Sequence, residues 1–184
     1  MIFFNYRSAL FVAAALLLGG CASLFPESCE QFEEHRKQTN YATDYTFESS
    51  KVDGDTKTLG KNDLAVAPHY QMTLGSDSVS PCTHVKIKKE LVLVRRDNPN
   101  LIFEETREFF AADGTRIAVK NEVLTGQLDK SGRYAATVPL PIPKNAPPGK
   151  YRLTSTLTLK TKGSTKSSVL ARTAAVFQVT AGKK

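Results

Sequence analysis

Along most of the chain, apolar and polar positions alternate with a period of two. Val85 and Ile87 alternate with Lys86 and Lys88, and Leu91 and Leu93 continue the same face, with Lys89 as the interruption. Successive side chains of a strand point to opposite faces, so this pattern predicts a half-buried strand. Leu101 to Phe110 fits strand or helix by periodicity alone. Its context selects strand, because Asp113-Gly114 separates it from a second alternating run in which Ile117, Val119 and Val123 share a face. Asp-Gly suits a two-residue type I′ hairpin turn, where both central residues take positive φ.

Asp129 to Gly132 is a further turn, leading into "RYAATVPL". Then "PIPKNAPPGK" reads as a proline-rich connection and not as an internal strand, since proline cannot donate to a ladder. Beyond it Tyr151, Leu153, Ser155, Leu157 and Leu159 point one way, and Arg152, Thr154, Thr156, Thr158 and Lys160 the other. A polar turn, "TKGSTKSS", precedes a closing strand in which Ala175, Phe177 and Val179 alternate with Val176 and Gln178. With the strand opening near Leu64, about seven short strands result, an all-β antiparallel sandwich of immunoglobulin-like kind.

Gly132 to Val179 strengthens that expectation. A Gly-x-Tyr strand, "PLPIP" followed by "PPGKY", a long alternating strand and a final "VFQV" resemble the last strands of bacterial immunoglobulin-like and macroglobulin-like domains. The resemblance implies architecture and carries no activity, because such folds host many functions.

The amino terminus has a different character. Arg7 precedes an uncharged run from Ala9 to Leu18, too short for the roughly 20 residues a membrane-spanning helix needs. Such a start reads as a secretory signal. Leu18-Gly19-Gly20-Cys21 resembles the lipobox of bacterial lipoproteins: an aliphatic residue, two small ones and a cysteine. That resemblance implies cleavage before Cys21, lipidation of its thiol and stable attachment to a bilayer by several acyl chains. Ala22 and Ser23 follow, with no Asp at the second mature position, which resembles an outer-membrane sorting pattern. The alternatives are an ordinary signal peptide with a cysteine nearby by chance, or an uncleaved buried helix. The expected organisation is a signal peptide over 1–20, a lipidated tether over 21–62 and the sandwich over 63–184. Within the tether, Ser28-Cys29-Glu30-Gln31 has capping-box form and predicts a short helix to about Lys37.

Cysteine and charge add two expectations. With Cys21 lipidated, Cys29 and Cys82 remain, an even pair that in an exported protein invites a disulfide. The chain carries a net charge of +7, unevenly spread: past Asp129 there is no acidic residue at all. Lys150, Arg152 and Lys160 share the outward side of one strand, Lys162 and Lys166 lie in the turn beyond, and Arg172 is on the next strand. If those strands pair, the cations form a candidate face for an anionic partner; a merely solvated surface is the plainer reading.

No catalytic constellation is expected. His35, His69 and His84 lie in separate segments outside any motif, and no nucleophile elbow, phosphate loop or dinucleotide fingerprint occurs. Glu104 and Glu105 cannot converge on one substrate, because neighbours on a strand face opposite ways; both read as solvated charges. Cys and His spacing supports no zinc site, no cofactor is implied, and nucleic acid is a poor partner for an exported chain whose aromatics are not interleaved with its cations. The expected function is that of a non-catalytic lipoprotein at the cell envelope, in the outer membrane and facing the periplasm. It would act as a binding or scaffold subunit for an envelope protein or anionic envelope polymer. A periplasm-facing enzyme of unknown type is the alternative, and oligomeric state is not legible.

Overall fold

The computed structural model describes residues 27–52 and 59–181; Cys21 and the signal peptide lie outside them. One helix, α1 (Cys29–Gln38), precedes nine strands: β1 (Thr46–Ser49), β2 (Ala65–Leu74), β3 (Ser78–Val79), β4 (Thr83–Arg95), β5 (Leu101–Phe110), β6 (Arg116–Val123), β7 (Gly132–Ile142), β8 (Gly149–Thr161) and β9 (Ser167–Val179). A four-stranded sheet runs β1-β7-β4-β2 and a five-stranded sheet β3-β9-β8-β5-β6. All pairings are antiparallel except the two-residue β3–β9 contact. The chain is therefore an all-β sandwich of immunoglobulin-like kind. The expected seven strands are all present, and β1 and β3 add to them; four and two residues are too few for alternation to register.

The inward faces form two apolar clusters. One centres on Leu91, Leu93, Phe103, Leu128, Tyr134 and Leu157, the other on Ile87, Val138, Tyr151, Leu153 and Phe177. Strand β8 alternates as expected, with Tyr151, Leu153, Ser155, Leu157 and Leu159 all buried.

Among the described residues, the segment expected to be a tether packs on the sandwich from Ser28 to Ser49. Ser28 and Gln31 form the reciprocal capping box, with Gln31 N donating to Ser28 Oγ at 3.2 Å and Ser28 N to Gln31 Oε1 at 3.0 Å. Helix α1 buries Phe32 and is held by the Cys29–Cys82 disulfide, whose Cα atoms are 5.3 Å apart. Lys144 adds an ion pair to Glu30 at 2.6 Å. Residues 40–45 then run as a strap toward β1, which pairs with β7. Gly132 is required there: a Cβ at this position would come within 2.5 Å of the Ser49 carbonyl oxygen and collide with the Phe47 ring.

Three local expectations are corrected. The Asp113-Gly114 hairpin exists, but only Gly114 takes positive φ (+84°). Gly114 N donates to Ala111 O at 3.0 Å, a turn that closes with one left-handed residue and leaves Asp113 unstrained. Strand β7 continues through Pro139 and Pro141 to Ile142. This is tolerated because β1 pairs with it only as far as Ala135, so on this half β7 has β4 alone as neighbour. Finally, the shared face of Ile117, Val119 and Val123 points to solvent, with 54, 50 and 65% exposure. The inward side of β6 carries Lys120 and Glu122 instead.

Candidate functional site

Between the two apolar clusters lies a layer of charged and hydroxyl side chains. Strand β4 turns Lys89 inward, β5 turns Glu105 and Arg107, β8 turns Ser155, and the strap supplies Thr43; all five are at most 2% exposed. Glu105 is the hub. Its Oε1 pairs with Lys89 Nζ and accepts from Thr43 Oγ1 at 3.2 Å, while Oε2 accepts from the Tyr45 and Tyr70 hydroxyls, each at 3.1 Å. Ser155 Oγ lies 2.8 Å from the Tyr70 hydroxyl and 3.3 Å from Lys89 Nζ. Arg107 Nη2 donates to Glu122 Oε2 at 2.6 Å and to the Tyr41 carbonyl at 2.5 Å. Its Nε, 3.6 Å from Glu105, is the one buried side-chain nitrogen or oxygen among the described residues without a hydrogen bond.

The strap seals this layer from the β6 side. Glu122 Oε1 accepts from Thr43 N at 3.0 Å, and Gln127 both accepts from Tyr45 N and donates to Thr43 O, substituting for a neighbouring strand. Burial pushes the Lys89 ammonium down to about 8 against the pull of Glu105. Burial raises Glu105 as well, but Lys89 beside it, aided by Arg107, holds the carboxyl below its ordinary range. Burial, reinforced by the Glu105 charge, raises both the Tyr45 and Tyr70 phenols, which stay neutral.

Lysine, tyrosine, serine and glutamate are acid–base groups, yet here their functional atoms are taken up by one another inside the core. What the layer does is tie both sheets and the strap to one centre. Sequence reasoning missed it by treating each residue alone. Glu104 and Glu105 do face opposite ways, and Glu104 meets Lys160 on the surface, but Glu105 is fully buried and not solvated. The available signal was joint: Lys89, Glu105, Arg107 and Ser155 each occupy an apolar-face position of an alternating strand.

The expected cationic face is dispersed. Lys150, Arg152 and Lys160 do point outward from β8, and Arg172 outward from β9. Lys150 and Lys160, however, are ten residues apart on one strand, about 33 Å. Strand β5 also inserts carboxylates that the C-terminal segment lacks: Glu104 pairs with Lys160 at 2.5 Å, and Glu108, itself paired with Arg116, borders the same depression as Arg152 and Arg172. Arg152 lies over the Phe110 ring at 4.6 Å. Lys150, Lys162, Lys166 and Arg172 are exposed. The histidines stay apart: His35 meets Glu27, His69 lies 3.7 Å from Glu90, and His84 sits against Phe32.

No protein-family model and no curated protein matches the chain in sequence. Solved structures resemble it in part. A CARDB domain from Pyrococcus furiosus, solved in complex with di-metal ions, is 10% identical with a TM-score of 0.37, over 65% of this chain and 94% of that one. The Pseudomonas fluorescens alkylpurine DNA glycosylase AlkC is likewise 10% identical with a TM-score of 0.37, over 63% of this chain but 30% of the other. A family 123 glycoside hydrolase from Clostridium perfringens is 13% identical with a TM-score of 0.30, over 57% of this chain and 23% of the hydrolase. Scores this low carry no inference about activity.

Proposed function

We propose that this chain is a non-catalytic lipoprotein of the bacterial envelope, anchored through Cys21 in the outer membrane, facing the periplasm and acting as a binding or scaffold subunit. The observation that supports the non-catalytic part is the enclosure of Lys89, Glu105, Arg107 and Ser155: among the described residues, this layer of acid–base groups lies in the core and out of a substrate's reach. The Leu18-Gly19-Gly20-Cys21 sequence supports the anchor, and the Cys29–Cys82 bridge suits an exported domain. Replacing Cys21 by Ser tests the anchor. Metabolic lipid labelling should vanish, leaving unprocessed precursor or a soluble product, and unchanged membrane attachment would end the lipoprotein reading. Capture of envelope proteins or wall polymer on the wild-type chain tests the binding role, with nothing retained above a tag-only control as the contrary outcome.

A further inference from the structure

The large hydrophobic side chains left exposed are not scattered. Among the described residues they are Leu64, just before β2, and five others on β6 and β9. Val119 and Val123 sit beside Glu108 and Glu104 of β5, and Val169 and Val176 beside Thr158 and Arg152 of β8. All four, with Ile117, therefore share the outer face of the five-stranded sheet. They form two rows, on β6 and on β9, three strand spacings or about 14 Å apart.

Charge is sorted on the same face. The carboxylates that β5 turns outward, Glu104 and Glu108, are taken up by Lys160 and Arg116. Lys150, Arg152 and Arg172 are exposed and have no carboxylate partner among the described residues. Arg152 and Arg172 line one depression with Thr154 and Thr156; Thr154 follows Arg152 along β8, and Thr156 stands directly beside Arg172. Guanidinium and hydroxyl groups so placed are donors suited to phosphate oxygens. The outer face of the four-stranded sheet differs. It exposes Lys86, Lys88, Glu90 and Thr137, but no large hydrophobic among the described residues accompanies them.

We propose that the outer face of β9-β8-β5-β6 lies on an anionic phospholipid bilayer. Arg152 and Arg172 meet lipid phosphates, and the two rows of β-branched side chains reach the boundary between headgroups and acyl chains. The choice of occupant rests on the envelope reading above, which it deepens: an anchor at Cys21, eight residues before Cys29, keeps the start of the domain within about 28 Å of a bilayer. Of the two sheet faces, only this one joins unpaired cations to exposed aliphatic side chains, the pairing that interfacial binding uses.

Residues 22–184, unlipidated and with the disulfide intact, contain every described element. This chain should cosediment at low salt with phosphatidylcholine vesicles that contain phosphatidylglycerol, and raised salt should release it. Arg152→Gln combined with Arg172→Gln should keep the urea midpoint and weaken binding roughly thirtyfold, the share of two cations at an anionic surface. An environment-sensitive fluorophore on Val119→Cys or Val176→Cys should shift to the blue when these vesicles are added. The same label on Thr137→Cys, on the opposite sheet, should not. Absence of binding, an undiminished double variant, or an equal shift at position 137 would each overturn the proposal. Release by inorganic phosphate at constant ionic strength would overturn it in favour of a free-anion site. Retention on polyglutamate beads with none on the vesicles would overturn it in favour of an acidic protein. Because this chain lacks Cys21, none of these results bears on lipidation, which labelling of the full chain reads separately.

Discussion

Lys89 and Glu105 face each other at the middle of the sandwich, one from each sheet, with neither side chain open to water. Taking both charges out of water is expensive, and their attraction offsets that cost only because hydroxyls occupy the remaining carboxylate lone pairs. The pair is a poor source of net stability but a strong constraint on arrangement. A one-residue slip of β4 against β7, or of β5 against β8, would turn one partner outward and break it.

Removing one partner should therefore hurt more than removing both. Glu105→Leu leaves Lys89 buried and uncompensated, and is expected to cost about 3–5 kcal/mol in urea unfolding. Adding Lys89→Met should restore most of that loss. Equal instability of single and double variants would mean that the two residues act independently.

Acid should loosen the same centre. The Glu105 carboxyl in the fold lies below its ordinary value of 4.5, so as pH falls the unfolded chain takes up the proton first. The stability tied to this group is complete above that value and disappears as pH drops through the lower, folded one. The urea midpoint should fall steeply below about pH 4.5. It should fall less steeply in the Lys89→Met/Glu105→Leu chain; identical slopes would assign the acid sensitivity to other carboxylates.

The disulfide closes a separation of 53 residues between α1 and the start of β4. In the chain-entropy treatment its reduction should lower stability by about 4 kcal/mol. Non-reducing peptide mapping should recover Cys29 and Cys82 as one linked species, and thiol labelling of both in the native protein would contradict the bridge.

Cationic side chains on β8 and in the turn beyond it should differ in effect. Replacing Lys150, Lys162 and Lys166 by Gln should weaken salt-sensitive binding of the unlipidated chain to vesicles containing phosphatidylglycerol, by roughly 1 kcal/mol per residue at low salt. Lys160→Gln should change little, because Glu104 already neutralises that ammonium. A loss from Lys160→Gln as large as from the triple change would show that the ion pair opens on binding.

How far the sequence reveals this molecule follows from the range of each interaction. Period-two alternation is local, so β2 and β4 to β9 were legible, as were the capping box at Ser28 and the spare cysteine pair. The orientation of β6 was not, because the same alternation is written whichever side is buried. Only the strap, whose Thr43 and Tyr45 enter the core, decides that Glu122 faces in and Val123 out. The polar layer was hidden for a related reason: a lysine on an apolar stripe looks like an error until the strand carrying its carboxylate is placed beside it.

If Cys21 carries the proposed anchor, the bridge to α1 also sets a geometry at the membrane. Cys29 is eight residues from Cys21, a reach of about 28 Å at full extension. It is stapled to Cys82, beside the end of the sandwich where β8 begins. The turn carrying Lys162 and Lys166 is at the other end of β8, about 40 Å away. With Cys21 in a bilayer, an upright sandwich stands like a post whose cationic tip points away from its own membrane. Under the proposed anchor, that tip would touch its own lipid only if the whole domain lay down.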